Sequence, residues 1–335
     1  HEKHCGIRRS EHQSGLDRQL SAETDALAQQ LGRPLSLVAE SDLNDPRMIA
    51  PRAEHGLGMA AQWDDDIHHA IHTAVSGERQ GYYADFGSLA TLAKTLREGF
   101  FHAATYSSFR QRRHGRPLDT ATTPATRLLA YTCTHDQVGN RALGDRPSQN
   151  LTYGQLAVKA ALVLGSPYTP MLFMGEEWGA STPFQFFSSH PEPELARATA
   201  EGRKKEFADH GWDADDIPDP QDPQTFHRSK LDWSELDAEE HAKLLRLYQD
   251  LIALRRNETD LADPWLPRLL VDYDEDARWI VMRRGRLTVA CNLGAEPVRV
   301  PLTGELVLCS DSPDVGDEST ALAPHSFVIL RAVDN

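Results

Sequence analysis

Cysteine is scarce and scattered: the 335 residues hold four, Cys5, Cys133, Cys291 and Cys309, and no Cys-x-x-Cys. That spacing suggests neither a disulfide framework nor a thiolate metal site, and a reducing, cytoplasmic setting is expected. No apolar run approaches the length of a membrane span, and the N-terminal stretch is charged without an apolar centre, so no signal peptide is expected. Positive charge is short as well: 35 Lys and Arg against 50 Asp and Glu leave a formal net charge of −15. Such a chain is repelled by nucleic acid and anionic membranes and gains no counterion-release energy from them, whereas neutral sugars are indifferent to the charge. The first residue is His1 rather than Met, so a fragment or a processed chain is expected.

What is present is a repeated arrangement of apolar strand followed by acid. Leu128-Leu129-Ala130-Tyr131 is short and apolar, follows Pro124, and runs into Thr132-Cys133-Thr134-His135-Asp136-Gln137-Val138-Gly139-Asn140-Arg141. Leu35-Ser36-Leu37-Val38-Ala39 likewise runs into Glu40-Ser41-Asp42-Leu43-Asn44-Asp45-Pro46-Arg47. Short apolar runs bounded by turn residues suit buried strands, and loops leaving the C-terminal tips of parallel strands form the functional rim of α/β folds. Two carboxylates, Glu40 and Asp136, on one rim would suit glycoside hydrolysis, which needs an acid and fixed negative charge facing an oxocarbenium-like transition state. On spacing alone, solvated loop carboxylates explain the pattern equally well.

These two segments resemble the third and fourth conserved regions of the α-amylase superfamily, and within it the trehalose-releasing maltooligosyltrehalose trehalohydrolases. The resemblance extends to Gln62-Trp63-Asp64-Asp65-Asp66-Ile67-His68-His69-Ala70-Ile71-His72, to Gly81-Tyr82-Tyr83-Ala84-Asp85-Phe86 and to Phe173-Met174-Gly175-Glu176-Glu177-Trp178-Gly179. It covers nearly everything from about residue 21 onward. The fold it implies is the C-terminal half of a (β/α)8 TIM-type barrel, strands five to eight, over residues 21–260, followed by a small antiparallel β-sandwich over 262–335. Residues 1–20 carry no assignment, because 1–18 show neither helical nor alternating periodicity.

Taken in order, Ser21 is expected to cap a helix that Gly32 stops before the strand at Leu35. Met59 to Trp63 reads as a strand leading to three aspartates and a His-rich helix. His68 and His72, four apart, share a helical face, yet a zinc site needs three or four ligands and no Glu lies between them at a metalloprotease position, so no metal is expected. Ser88–Gly99 and Tyr153–Leu164 read as amphipathic helices, and Thr169–Met174 as the last barrel strand. The basic run Arg110–Arg116 is expected to be a solvated face. Between His190 and Trp233, prolines and Asp-Pro steps suggest a long excursion with one short helix, after which Glu239–Arg256 returns to helical spacing. Beyond Pro264, the runs 279–282, 287–291, 298–300, 306–308 and 327–330 read as strands of the sandwich.

The resemblance also implies roles. Glu40 would protonate the leaving oxygen and later activate water, and Asp136 would hold the sugar's 2- and 3-hydroxyls, with His135, Gln137, Asn140 and Arg141 around it. Trp63, Asp66, His69 and Glu177 would line the side that takes the trehalose unit of maltooligosyltrehalose or a related α-glucan. No cofactor is implied, since hydrolysis uses two carboxylates and water. The superfamily's nucleophilic Asp, in an Arg-x-Asp pattern ahead of the Glu strand, has no counterpart upstream of Glu40. The nearest alternatives are another α-glucan hydrolase or branching enzyme of the superfamily, and a non-catalytic carbohydrate-binding remnant.

Overall fold

The structure, a computed structural model, describes residues 11–208 and 216–333. The unassigned residues 1–10, Cys5 among them, lie outside the described residues. In chain order, α1 (Glu11–Leu31) leads to β1 (Val38–Ala39), and β2 (Ala61–Trp63) to α2 (Asp65–Ser76) and α3 (Leu89–Glu98). The hairpin β3 (Thr105–Ser107) and β4 (Arg112–His114) precedes β5 (Leu128–Ala130), α4 (His135–Gly139), α5 (Tyr153–Gly165) and β6 (Thr169–Pro170). Helices α6 (Pro193–Ala208), α7 (Pro223–Arg228), α8 (Glu239–Asn257) and α9 (Thr259–Ala262) follow. The C-terminal strands are β7 (Leu270–Asp274), β8 (Trp279–Arg284), β9 (Leu287–Asn292), β10 (Val298–Val300), β11 (Glu305–Cys309), β12 (Asp314–Val315), β13 (Thr320–Leu322) and β14 (Ser326–Arg331). The chain divides into two compact units: one takes the described residues of 1–131, 158–171 and 251–335, the other those of 132–157 and 172–250.

The larger unit holds a parallel sheet in the order β1-β2-β5-β6, with Val38 opposite Ala61, Gln62 opposite Leu128 and Leu129 opposite Thr169. The ladders are shorter than the apolar runs suggest. Pro170 has no N–H to donate, and Met171 N–H resumes the pairing to Ala130 O at 2.8 Å. Helix α2 is buried along almost its whole length, including His68, His69 and His72. Its ends follow the sequence: Asp64 accepts from Ile67 N–H at the start and Gly77, at φ 78°, closes the end.

One expectation fails in this unit and another holds only in part. Helix α1 begins at Glu11, and Ser21, far from capping it, is buried within it and donates to Gly58 O at 2.9 Å. Its leucines, Leu16, Leu20, Leu27 and Leu31, fall on one narrow stripe and are about half exposed, too sparse to register as an amphipathic repeat. The basic run 110–116 lies on the β3–β4 hairpin, where Gln111, Arg112, Arg113 and Arg116 are exposed as expected while Arg110 is half-buried and His114 buried. Arg110 pairs with Asp42, His114 Nε2 donates to Asp42 O at 2.8 Å and Arg116 N–H to Asn44 O at 2.9 Å.

The C-terminal strands form a five-stranded antiparallel sheet, β11-β14-β9-β8-β7, and a three-stranded one, β10-β13-β12. Val281, Ala290, Val328 and Leu330 of the first pack with Val300, Leu302 and Leu322. The other face of β8 and β9 is buried too. A Cβ added at Gly165 would sit 3.1 Å from Val289 Cγ2 and 3.5 Å from Met282 Cε, so these strands read as continuous apolar runs. Strands β7, β12 and β13 went unforeseen: β7 is a polar edge with Leu270 and Tyr273 exposed and Asp272 paired to Arg283 across the ladder.

In the smaller unit, Trp178 is buried against Trp233 at 5.0 Å and donates from Nε1 to Glu235 at 3.2 Å. Among its described residues the 190–233 stretch carries two α-helices rather than one. Its Asp-Pro step at 222–223, read as a breaker, is the N-cap and first residue of α7, where Asp222 accepts from Gln224 N–H and the missing N–H of proline costs nothing.

Candidate active site

Glu40 is exposed and directly follows β1, at the C-terminal edge of the parallel sheet. Trp63 ends β2, half-buried, with its ring edge-on to Tyr131 at 5.7 Å. The rims of β1 and β2 are bolted together below these two. Asp66 is 4% exposed, and its Oδ2 accepts from Asn44 Nδ2 at 2.8 Å and from His102 N–H at 2.8 Å. Burial pushes its carboxyl up to about 7 against these donors. Beside it Asp64, wholly buried with Oδ2 lacking a hydrogen-bond partner, is driven well above the carboxylate range by burial and by Asp66. A carboxyl held neutral in this way avoids the cost of an isolated buried charge.

His69 is buried, stacked on Tyr82 at 4.8 Å and edge-on to Phe86 at 5.0 Å. Burial, and then the Arg110 cation, holds it well below the usual imidazole range. Asp66 and His69 therefore sit under the rim, with Trp63 and Glu40 on it. His68 Nε2 lies 3.0 Å from Tyr83 Oη, and His72 lies between Glu78 and Lys159, so these two histidines pair with protein groups.

In the smaller unit, Thr134 caps α4 in a Thr-x-x-Gln capping box: Gln137 Oε1 accepts from Thr134 N–H at 2.7 Å and from its Oγ1 at 2.8 Å. Gln137 thereby orders the turn that presents His135 and Asp136, the first two residues of the helix. Both side chains are about half exposed, with His135 Nε2 3.4 Å from Asp136 Oδ1. A carboxylate in a helix's first turn is favoured by the unpaired N–H groups there. Asn140 ends α4, its N–H donating to Asp136 O at 2.7 Å, and Arg141 pairs with Asp145 at 2.5 Å. Glu177 folds back to accept from Gly175 N–H at 3.0 Å. Glu176 is the more deeply tied of the two acids, accepting from Phe173 N–H at 2.9 Å and Tyr248 Oη at 3.1 Å.

Sequence reasoning passed over Asn44 and Asp42. Asn44 is buried at φ 49° and holds Asp66; the signal available was an Asn next to Asp-Pro, a residue pair suited to a left-handed turn. Asp42, with its Arg110 partner, joins the hairpin to the β1 rim.

A half sheet of parallel strands tipped by acids and followed by an antiparallel sandwich is an α-amylase-type fold. A Salmonella typhimurium structure described as an alpha amylase superposes with a TM-score of 0.78 at 34% identity, over 92% of this chain and 54% of that one. Residues 264–329 match a domain of unknown function, DUF3459. The malto-oligosyltrehalose trehalohydrolase of Mycobacterium tuberculosis is 73% identical over 316 residues, 94% of this chain and 54% of that protein. That of Arthrobacter ramosus is 59% identical over 313 residues, 93% of this chain and 54% of that protein. The chain is similar to these malto-oligosyltrehalose trehalohydrolases over nearly its whole length, and it spans about half of theirs.

Proposed function

We propose that this chain carries the acid-bearing half of a retaining glycosidase that cleaves the α-1,4 bond next to the terminal trehalose of maltooligosyltrehalose, releasing trehalose. The 73% identity to a relative of that name carries the reading. Glu40, first residue beyond β1, donates a proton to the leaving oxygen and then deprotonates water. Asp136, at the head of α4, bonds the sugar's 2- and 3-hydroxyls and strengthens that contact as positive charge grows on the flattened ring. His135, Asn140 and Arg141 fix its setting, Gln137 holds the turn, and Trp63 supplies an apolar face for a pyranose ring. Asp66 and His69 brace the Trp63 rim from beneath, and Glu177 contributes from the turn after β6. The attacking Asp of that mechanism has no counterpart in an Arg-x-Asp pattern upstream of Glu40.

A cytoplasmic setting suits the cysteines: Cys133 and Cys291 are buried thiols, Cys309 a half-buried one. Among the described residues no helix is long and apolar enough to cross a membrane.

The test is trehalose release from maltooligosyltrehalose. The 335-residue chain should give none above background, because deleting a covalent catalyst costs on the order of a million-fold in turnover. Fused behind the N-terminal portion of the Arthrobacter ramosus relative, it should release trehalose, and Glu40→Gln should abolish that release. Robust turnover by the chain alone, or a fusion indifferent to Glu40→Gln, overturns the assignment.

A further inference from the structure

Lys159 is 1% exposed. A lysine so deeply buried is rare unless it is paired, and its Nζ lies 3.0 Å from Nδ1 of His72. An ammonium has only protons to offer, so Nδ1 is the acceptor and the imidazole carries its proton on Nε2. That nitrogen meets Glu78 Oε2 at 2.9 Å. The imidazole thus bridges Lys159 on α5 and a carboxylate beyond α2. Among the groups facing His72 are Lys159 from α5, Glu78, the rings of His68 and Tyr83, and, at longer range, His69.

The bridge does not end at His72. Its ring stacks on His68 at 5.5 Å and 18°, and His68 stacks on Tyr131 at the same separation and angle. The Tyr131 hydroxyl donates to Asp65, and its ring meets Trp63 edge-on at 5.7 Å. An unbroken column therefore runs from the buried ammonium through three rings to the indole at the tip of β2. Stacked and edge-on rings at these separations are attractive, and each fixes the tilt of the next.

We propose that Lys159 and His72 are positioning residues that set the orientation of Trp63 through the His68–Tyr131 column. This rests on the reading above that Trp63 is a contact for the α-glucan. Held between Lys159 Nζ at 3.0 Å and Glu78 Oε2 at 2.9 Å, the His72 ring has one orientation, and the stack beneath Trp63 keeps one geometry with it. The His spacing that fails as a metal site serves instead as packing: residues four apart on α2 present two rings to one face.

The experiment uses the 335-residue chain labelled with 5-fluorotryptophan, the Trp63 line in its 19F spectrum being assigned by its loss in Trp63→Phe. In the unaltered chain that line should hold still between about pH 5 and 8. In Lys159→Met, which keeps the stem but removes the cation, the Trp63 line should shift and titrate in that range while the lines of the buried Trp178 and the sandwich Trp279 stay put. His72→Ala, which removes the first ring of the stack and both hydrogen bonds, should displace the line, and His72→Gln, which restores the bonds to Lys159 and Glu78 but not the ring, should recover it in part. A Trp63 line unmoved by Lys159→Met and His72→Ala overturns the inference, as does equal displacement of all tryptophan lines with no rescue by glutamine. Maltohexaose separates the two readings. If it leaves the Trp63 line of the unaltered chain untouched, the glucan contact falls, whereas the Lys159 effect is read without ligand. If it moves the line, Lys159→Met should weaken binding about tenfold, a loss on the scale of one aromatic contact.

Discussion

Asn44 ties the rim of β1 to that of β2: from a backbone φ of 49° its Nδ2 donates to Asp66 Oδ2 at 2.8 Å and to His102 O at 3.2 Å. Asparagine tolerates left-handed backbone that costs most other residues about 1–2 kcal/mol. Asn44→Ala should lose that tolerance and leave two buried acceptors short of a donor, a total of about 3 kcal/mol in urea unfolding. Asn44→Gly loses the bonds but not the backbone freedom, and should be less damaging. Equal losses would remove the backbone part of the argument.

Asp66 is expected to make the fold less stable as pH rises. Its folded-state value of about 7 lies above the 3.8 of an unperturbed carboxyl, so between those values the folded chain holds a proton that the unfolded chain has released. The stabilisation is complete at low pH and lost as pH rises through 7. In Asp66→Asn that decline should vanish. Urea midpoints at about pH 5 and pH 7.5 should show the variant gaining on the unaltered chain at the higher pH; a constant difference would refute it.

His102 acts with the opposite sign. Burial brings its folded-state value down to about 4 from 6.5, although Asp85 at 3.4 Å from Nε2 pulls the other way. The unfolded chain binds the proton first, and stability falls as pH drops from 6.5 toward 4. His102→Gln should flatten this acid limb, read as the change in melting temperature per pH unit. An unchanged slope would place the acid sensitivity elsewhere.

Arg255, on α8, gathers the carbonyls where α5 ends and turns toward β6. It donates to Leu164 O at 2.8 Å, to Ser166 O and to Tyr168 O at 2.6 Å. Leu164 O lies in the last turn of α5, which has no intrahelical donors left, and Ser166 O and Tyr168 O lie in the turn that follows. Arg255→Ala should destabilise by about 3 kcal/mol, and Arg255→Lys should recover only part, because an ammonium lacks the fork that spans three acceptors. Thermal melts followed by circular dichroism decide it; full recovery by lysine would show that charge alone matters.

In the completed enzyme, Trp63→Ala should reduce kcat/KM for trehalose-capped substrate about tenfold, the scale of one lost aromatic contact. For plain maltooligosaccharide the loss should be smaller. Equal losses on both would show that Trp63 does not discriminate between the two ends.

Much of the architecture was legible from local chemistry. The N-caps Asp64 and Ser88, the stops Gly32, Gly77 and Gly99, and the apolar runs at Leu128 and Trp279 each act through neighbours within one turn or one strand, so residue order alone carries them. The Thr-x-x-Gln box at Thr134 belongs with these, although Gln137 was expected beside the sugar and is seen closing a cap. Where periodicity is weak, order was not enough. The sparse leucine stripe of α1, the polar edge strand β7 and the Asp-Pro start of α7 carry signals that match a loop equally well. The tertiary structure alone decided what the buried polar groups do. Asn44 reaches Asp66 across 22 positions, Arg110 reaches Asp42 across 68 and Lys159 reaches His72 across 87. A buried charge or amide must find a partner wherever the fold brings one, and nothing in the spacing of a sequence records which distant group that will be.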